Sequence, residues 1–164
     1  MRELLLLRHA KAQTETPEGG NDFDRALSPR GRRQLQELRR LFERLSGAPD
    51  RILASAAVRA RETAEGLRGA FPEWAAPLVI EPALYAASAE EARDLLRGLP
   101  EEILRVCVVG HNPCLSELAS DLAGRDLSLP TLGAVALAVP AARWAALGAA
   151  PARVLWTARP RESL

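Results

Sequence analysis

Short apolar runs that end abruptly in polar residues constrain the fold of this chain more than any other feature. Residues 4–7 are leucines followed at once by Arg8 and His9, and the apolar run 106–109 leads one residue later to His111. Runs this short, bounded by turn residues, are typical of buried parallel strands. Because ligands bind at the carboxyl ends of the strands in open α/β sheets, we expect the two histidines of the chain to lie at one edge of one sheet.

Helical patterns alternate with these runs. The predicted strands are residues 3–8, 51–55, 78–80, 105–110, 134–139 and 154–157, and the first two predicted helices cover 29–46 and 57–70. Ser88 and Glu91 form a capping box at the start of a third helix. A fourth helix is expected to begin with Asn112 as its N-cap and Pro113 at its first position. Strands alternating with helices predict an α/β fold, a three-layer α/β/α sandwich that forms one domain over residues 1–164.

The composition argues against several classes of protein. The 164 residues are about one domain in length, and a formal net charge of +1 does not favour a nucleic-acid partner. The leucine run near the start is too short for a signal-peptide core or a membrane span, so no membrane partner is expected. Cys107 and Cys114 lack the spacing of a redox pair, and the two histidines have too few companions for a metal site. We therefore predict a cytoplasmic globular protein without a metal.

Positive charge gathers around the two histidines. Arg8 precedes His9, and Arg59 falls at the start of the second predicted helix. Arginine binds phosphate in a bidentate way and stays charged. A helix that begins beside His111 would turn its free amide groups toward the same anion, which makes Asn112 a candidate phosphate-binding residue. Because a neutral imidazole can attack phosphorus and form a phosphohistidine, the pattern predicts a pocket for a phosphoryl group.

Two other kinds of site remain open from the residues alone. Ser55 or Cys114 would serve as a nucleophile with His111 as its base, but the glycine elbow and the orienting acid of such a site are missing from the sequence. A module that binds a phosphohistidine or a phosphopeptide without turnover would use the same pocket, although binding alone would not need His9. A phosphoryl-transfer enzyme is therefore the favoured hypothesis.

Three ordered motifs resemble those of a known family. They read Leu7-Arg8-His9-Ala10, then Ser55-x-x-x-Arg59-Ala60-x-Glu62-Thr63-Ala64, then Gly110-His111-Asn112-Pro113. In this order and at this chain length they resemble the histidine phosphatase superfamily, which includes the phosphoglycerate mutases, and above all its compact SixA-type phosphohistidine phosphatase branch. Further residues support that branch, namely Asp22-x-x-Arg25-x-Leu27-Ser28-x-x-Gly31 and Leu84-Tyr85.

The resemblance implies a fold and a mechanism. The fold is the phosphoglycerate mutase-like α/β/α sandwich, His9 is the nucleophile, and Arg8 and Arg59 bind the phosphoryl group. His111 would stabilise the transferred group as a further cationic donor, and no metal or organic cofactor is needed. The expected substrate is phosphohistidine in a signalling or phosphotransfer protein. The alternative is a small phosphorylated molecule, as for a phosphomonoesterase of the same superfamily.

The sequence departs from the superfamily in its proton donor. The mutases and many phosphomonoesterases have an acidic donor, typically between the second arginine and the second histidine. Glu81 is the best candidate here, while Glu90, Glu91 and Asp94 lie in the helix that Ser88 caps. A phosphohistidine leaves as imidazole, which can take a proton on its distal nitrogen before cleavage. A weak general acid therefore favours P–N substrates over alkyl phosphates.

Overall fold

The computed structural model describes residues 1–161, which form a six-stranded mixed sheet with helices on both faces. The strands are β1 (Arg2–Arg8), β2 (Arg51–Ala54), β3 (Leu78–Ile80), β4 (Arg105–Gly110), β5 (Ala134–Val139) and β6 (Arg153–Ala158). The helices are α1 (Pro29–Leu35), α2 (Leu38–Leu41), α3 (Val58–Ala70), α4 (Ala89–Arg97) and α5 (Cys114–Ala123). Among the described residues the longest helix, α3, has 13 residues and cannot reach across a bilayer.

The strand order is β3-β2-β4-β1-β5-β6. β1, β2, β3 and β4 are parallel, whereas β5 is antiparallel to β1, and β6 is antiparallel to β5. Alternate residues of β1 divide the core in two. Leu4 and Leu6 pack in a cluster with α4 and α5, while Leu5 and Leu7 pack in a cluster with α2 and α3. The sheet is therefore the middle layer of an α/β/α sandwich, which confirms the predicted fold class.

The observed helices begin where the sequence predicted at two caps, but one predicted helix is divided. Ser28 caps α1, since its hydroxyl oxygen accepts from the backbone N–H of Gly31 at 3.0 Å, and the predicted capping box opens α4. The single helix predicted over 29–46 is wrong, because α1 and α2 are separate. The backbone N–H groups of Gln36 and Glu37 donate to carbonyls three residues back, and these tighter turns interrupt the α-helical pattern.

The carboxyl ends of the parallel strands meet at one edge of the sheet. The register pairs Arg8 of β1 with Gly110 of β4, and Ala54 of β2 with Val109 of β4. The segment leading into β5 reaches the same edge, since the backbone N–H of Arg8 donates to the carbonyl of Gly133 at 3.0 Å. The residues that follow β1, β2 and β4 therefore gather in one place.

Candidate active site

The two histidines lie side by side at this edge. His9 follows β1, and its backbone N–H donates to the carbonyl of Gly110 at 3.0 Å, while His111 follows β4. Their ring centroids are 5.2 Å apart, with the ring planes tilted by 59°. Each histidine is 8% exposed. The structure thus brings the two candidate catalytic residues into one small site that keeps some contact with solvent.

His9 is held in one orientation by its own backbone. Its Nδ1 is 2.7 Å from the carbonyl oxygen of Ala10. A carbonyl oxygen only accepts hydrogen bonds, so Nδ1 carries the hydrogen of the neutral ring and Nε2 keeps its lone pair. The carbonyl of His9 in turn accepts from the backbone N–H of Leu132 at 3.1 Å. A fixed neutral imidazole with a free Nε2 is the form that can attack phosphorus.

Burial keeps both imidazole rings neutral. Desolvation, together with the charges of Arg59 and Arg8, lowers the pKa of His9 to about 3 and that of His111 to about 4. The hydrogen bond from His9 to the Ala10 carbonyl opposes the shift without reversing it. The expected cationic form of His111 is therefore not the form of the free site near neutral pH, where the ring is uncharged.

Two arginines bring positive charge to the histidines. Arg8, the last residue of β1, donates from Nη1 to the carbonyl of Leu129 at 3.1 Å. Arg59 lies in the first turn of α3, is 6% exposed, and donates to Asp22, from Nη1 to the carbonyl at 2.8 Å and from Nη2 to Oδ2 at 3.1 Å. The Nε atoms of both arginines are buried without a partner among residues 1–161. Because unpaired buried donors are costly, an anion at this place would be stabilised.

His111 is bound through one ring nitrogen and unpaired at the other. Its Nε2 is 2.7 Å from Oγ of Ser55, which is fully buried, and the ring of Tyr85 meets it edge-on with centroids 5.7 Å apart. Its Nδ1 is buried and has no partner within the described residues. Within residues 1–161, unpaired Nε atoms also occur in six arginines outside the site, so the unpaired Nδ1 of His111 is the more distinctive feature.

Asn112 and the helix that follows differ from the prediction. α5 begins at Cys114, and Pro113 rather than Asn112 directly precedes it. The Oδ1 atom of Asn112 accepts from the backbone N–H of Ser116 at 3.2 Å and from its hydroxyl at 2.8 Å, and Nδ2 donates to the carbonyl of Leu129 at 2.8 Å. These bonds tie the start of α5 to the segment before β5. We therefore interpret Asn112 as a residue that holds the site together, and phosphate binding by its side chain stays a prediction.

Glu81 lies at the same edge of the sheet as the histidines, but at the end of the sheet that β3 forms. It follows β3, and its backbone N–H donates to the carbonyl of Ala54 at 2.7 Å. Three strand spacings of about 4.8 Å each separate β3 from β1, which carries His9. Within residues 1–161 its partly exposed carboxylate makes no hydrogen bond or ion pair. A role of Glu81 as proton donor also stays a prediction.

Asp22 has a more central position than its place in a polar loop indicated. Its Oδ2 accepts from the Tyr85 hydroxyl at 2.6 Å and from Arg59, and its Oδ1 accepts from Nε of Arg25 at 2.9 Å. The hydrogen bond from Tyr85, with those from Arg59 and Arg25, holds the pKa of Asp22 below its usual range. Asp22 is therefore a carboxylate near neutral pH. The sequence pattern Asp22-x-x-Arg25 pointed to this residue, but it does not reveal the contact of Asp22 with Arg59 in α3.

Thr63, which belongs to the second motif, has a role in the site that the sequence did not predict. It is fully buried, and its Oγ1 accepts from the backbone N–H of Ala10 at 3.0 Å and donates to the carbonyl of Arg59 at 2.8 Å. The hydroxyl thereby ties the chain after His9 to the first turn of α3. The available signal was its place one helical turn after Arg59, on a face otherwise formed by alanine and leucine.

Comparison with known proteins identifies the family of this chain. The family model described as histidine phosphatase superfamily (branch 1) matches residues 4–95, a span that includes Arg8, His9 and Arg59. The chain belongs to this superfamily. It is accordingly a phosphatase of the histidine phosphatase type. The match ends before His111, which the sheet topology nevertheless brings beside His9.

Individual relatives extend the likeness over most of the chain. The uncharacterized protein Rv1276c of Mycobacterium tuberculosis is 31% identical over 150 residues, covering 85% of this chain and 90% of the relative. The protein assigned as phosphohistidine phosphatase SixA in Agrobacterium tumefaciens is 29% identical, with a TM-score of 0.81 over 97% of this chain and 98% of that one. A protein histidine phosphatase SixA solved with tungstate shares the fold at 18% identity, with a TM-score of 0.78 over 96% and 97% of the two chains. This histidine phosphatase therefore shares its fold with these two proteins over nearly its whole length.

Proposed function

We propose that this histidine phosphatase hydrolyses phosphohistidine in a signalling or phosphotransfer protein, through a covalent phosphohistidine formed on its own His9. The observation that carries the proposal is the free Nε2 of His9, which the bond from Nδ1 to the Ala10 carbonyl leaves as a lone pair. A site that only bound a phosphoryl group would need hydrogen-bond donors there. The lone pair therefore supports turnover over a non-catalytic binding module.

Fixed donors supply the charge that phosphoryl transfer requires. We assign the unpaired Nε atoms of Arg8 and Arg59 to the equatorial oxygens of the transferred group, together with Nδ1 of His111. Donors that are already oriented stabilise the charge of the transition state without reorganisation. Within residues 1–161 no three His, Cys, Asp or Glu side chains cluster as metal ligands would. We propose no metal and no organic cofactor.

The proposed reaction consists of two displacements. Nε2 of His9 attacks phosphorus as the P–N bond to the substrate imidazole breaks, and that imidazole leaves neutral because its distal nitrogen already carries a proton. His9, with its hydrogen on Nδ1, then holds the phosphoryl group on Nε2. In the second step the oxygen of a water molecule attacks phosphorus, the electron pair of the P–N bond returns to Nε2, and the water proton leaves with phosphate or to solvent.

The carboxylates around the site favour an imidazole leaving group. Asp22 is ionised, since its hydrogen bond from Tyr85 and those from the arginines hold its pKa below the usual range, so it has no proton to give. Glu81 lies at the far side of the sheet edge and is a weak candidate. An alkoxide needs a general acid when it leaves, whereas phosphohistidine brings its own proton. The similarity to a protein assigned as phosphohistidine phosphatase supports the same substrate class.

The other candidate nucleophiles are less well placed. Ser55 and His111 lie 2.7 Å apart, as a nucleophile and its base would, but Ser55 is fully buried. Within residues 1–161 no acid binds Nδ1 of His111 to orient it. Burial raises the pKa of the Cys114 thiol to about 11, so a thiolate is scarce near neutral pH. We propose neither residue as the nucleophile.

The proposed place of action is the cytoplasm. Cys107 and Cys114 are both free and both buried. Free thiols without a disulfide suit a reducing compartment. The partner is then the phosphohistidine-bearing protein itself, and we propose no nucleic-acid or membrane partner.

A substrate panel tests the proposed substrate class. Phosphorylated histidine protein, phosphoramidate, an aryl phosphate and an alkyl phosphate are compared with the wild-type enzyme and the Glu81→Gln variant. We expect the alkyl phosphate to react more slowly by about 10²–10⁴-fold, the usual contribution of general acid catalysis, and Glu81→Gln to leave turnover of phosphohistidine unchanged. Rapid hydrolysis of the alkyl phosphate that collapses in Glu81→Gln would instead identify a small-molecule phosphomonoesterase.

A further inference from the structure

Ser55 makes a contact that the proposed reaction does not yet use. It directly follows β2, is fully buried, and has its Oγ 2.7 Å from Nε2 of His111. Building on the proposed function, we infer that Ser55 is a positioning residue: its hydroxyl donates to Nε2 of His111 and thereby keeps the ring hydrogen on Nδ1, which donates to a phosphoryl oxygen of the substrate.

The surroundings of Ser55 determine the direction of this hydrogen bond. The backbone N–H of Ala57 donates to Ser55 Oγ at 3.3 Å, so the hydroxyl oxygen already acts as an acceptor. Among the described residues, Nε2 of His111 is the one acceptor within hydrogen-bond distance of the Ser55 hydroxyl. If Nε2 donated instead, both the hydroxyl hydrogen and the lone pair of His111 Nδ1 would be buried without a partner, whereas a donating Ser55 leaves only the Nδ1–H group unpaired among the described residues. Ser55 therefore donates, and Nε2 accepts with its lone pair.

This direction accounts for the unpaired Nδ1 of His111. With Nε2 as acceptor, the hydrogen of the neutral ring lies on Nδ1, which is buried and unpaired within residues 1–161. This N–H group lies in one site with Arg8 and Arg59, so it can donate a hydrogen bond to the same anion that the two arginines bind. The opposite tautomer would present a bare lone pair, which phosphoryl oxygens would repel. The Nδ1–H form is therefore the one that completes the set of donors.

The neutral state of His111 makes the choice of tautomer decisive. Burial and the charge of Arg59 lower its pKa to about 4, so the free site does not contain an imidazolium near neutral pH. An imidazolium carries a hydrogen on both nitrogens and would need no neighbour to select between them. A neutral ring has a single hydrogen on its nitrogens. The hydroxyl of Ser55 therefore determines whether Nδ1 of His111 carries that hydrogen and can donate to the substrate.

The tautomer of His111 can be measured without any substrate. Because the chain has two histidines, nitrogen-15 spectra of the ligand-free protein contain few ring signals, and a His9→Asn variant assigns them. We expect wild-type His111 to carry hydrogen on Nδ1 and none on Nε2. In Ser55→Ala the hydrogen should move to Nε2 or be shared between the nitrogens, and Ser55→Thr, which retains a hydroxyl, should restore the wild-type pattern.

A matched control separates this effect from general destabilisation. Ser88→Ala removes a hydroxyl that caps α4, so it perturbs folding without a contact to His111, and its histidine spectrum should equal that of the wild type. Hydrogen on Nε2 of His111 in the wild-type protein overturns the proposal, even if Ser55→Ala does not fold. An unchanged spectrum in a folded Ser55→Ala protein also overturns it.

Activity provides a second readout. We expect Ser55→Ala to lower kcat by roughly 10–100-fold with little change in KM, as when a group that orients a functional histidine is removed, and Ser88→Ala to retain activity. A change in KM alone would contradict a role in the transition state. If the wild-type tautomer is as expected but no phosphoryl substrate is hydrolysed, the proposed function fails while the effect of Ser55 on His111 stands.

Discussion

Backbone carbonyls orient Arg8 and His9, the candidate nucleophile, in this site. The carbonyl of Ala10 accepts from Nδ1 of His9, and the carbonyl of Leu129 accepts from Arg8. A carbonyl is placed by the sheet and its loops, so it fixes a side chain without neutralising its charge. Burial at the same time lowers the pKa of Arg8, because its charge is poorly solvated. Arg8 is therefore held in place with its positive charge unneutralised, whereas Arg59 shares its charge with the carboxylate of Asp22.

The forked guanidinium of Arg59 should matter beyond its charge. Arg59→Lys keeps a cation but loses the planar guanidinium, whose Nη1 and Nη2 bind Asp22 and whose Nε we assign to a phosphoryl oxygen. Steady-state kinetics should show kcat/KM reduced by roughly 10²-fold, the scale for losing one oriented donor. Arg61→Lys is the matched control, because Arg61 is exposed and donates to the Ala56 carbonyl. Equal values for the two variants would place Arg59 outside the binding pocket.

The neutral histidines should make stability depend on pH. His9 and His111 have pKa values of about 3 and about 4 in the folded protein, against about 6.5 in an unfolded chain. Below pH ~6.5 the unfolded chain takes up protons that the folded protein does not. The free energy of unfolding must therefore decrease as the pH is lowered, by up to about 1.4 kcal/mol per pH unit for each histidine. Above pH ~6.5 both states are neutral, and this effect vanishes.

Urea unfolding at several pH values measures this effect. Between pH ~5 and pH ~7 the wild-type protein should lose stability toward the acid side, and the double variant His9→Asn, His111→Asn should lose much less. The window stays above the usual pKa range of carboxylates, so their titration contributes little. If the free energy of unfolding changed with pH equally in the two proteins, the histidines would not be desolvated as the structure indicates.

At the scale of elements, α1 is built directly onto the chain that follows the candidate nucleophile. The carbonyl of Lys11 accepts from the backbone N–H of Ser28 at 2.9 Å, and the backbone N–H of Lys11 donates to Gln34 Oε1 at 2.8 Å. A Cβ on Gly31 would come within 2.0 Å of the Lys11 carbonyl oxygen. The absence of a side chain at Gly31 therefore lets the helix approach the strand end closely and fix the segment after His9.

This packing predicts that an alanine at Gly31 is harmful. Alanine favours a helix by about 0.5–1 kcal/mol over glycine, but here the new methyl group collides with backbone, so we expect Gly31→Ala to lower the free energy of unfolding by about 1–3 kcal/mol. Gly69→Ala in α3 is the control, since its Cβ would meet nothing within 4 Å and should stabilise the protein by up to about 1 kcal/mol. Urea unfolding compares the two, and a stabilising Gly31→Ala would contradict the packing.

Local patterns predicted the elements that local forces determine. The apolar run before Gly110 and the capping box at Ser88 were sufficient to place β4 and α4, because strand burial and helix capping depend on neighbouring residues. Contacts between distant segments were not predictable in this way. The hydrogen bonds of Asn112 to Ser116 and Leu129, and the late start of α5, depend on where the segment before β5 passes. The contact of Asp22 with α3 depends likewise on the path of a polar loop.

At the scale of the molecule, the sheet topology creates the site from segments far apart in sequence. β4 lies between β1 and β2, so His111 has His9 on one side and Ser55 on the other. The meeting of the two histidines was predictable because parallel strands present their carboxyl ends at one edge. The orientation of each ring was not, since it depends on single contacts such as that of His111 with Ser55.

Charge supplied by the protein itself should make the enzyme independent of added metal. We expect activity to survive exhaustive chelation, because Arg8 and Arg59 provide fixed positive charge at the histidines. Vanadate, which mimics five-coordinate phosphorus, should inhibit in competition with substrate. A rate that falls on chelation and returns with zinc or magnesium would require a metal in the reaction.

The central claim, that His9 attacks phosphorus through Nε2, is tested most directly by trapping the phosphoryl enzyme. Wild-type protein is mixed with phosphoramidate or a phosphohistidine protein, quenched in base, and the site of the acid-labile phosphoryl group is mapped by mass spectrometry and nuclear magnetic resonance. His9→Ala serves as the control and should fold normally while turnover falls by several orders of magnitude. The account predicts a phosphoryl group on Nε2 of His9 in the wild type and none in His9→Ala. A phosphoryl group on His111, or near wild-type turnover in His9→Ala, would contradict it.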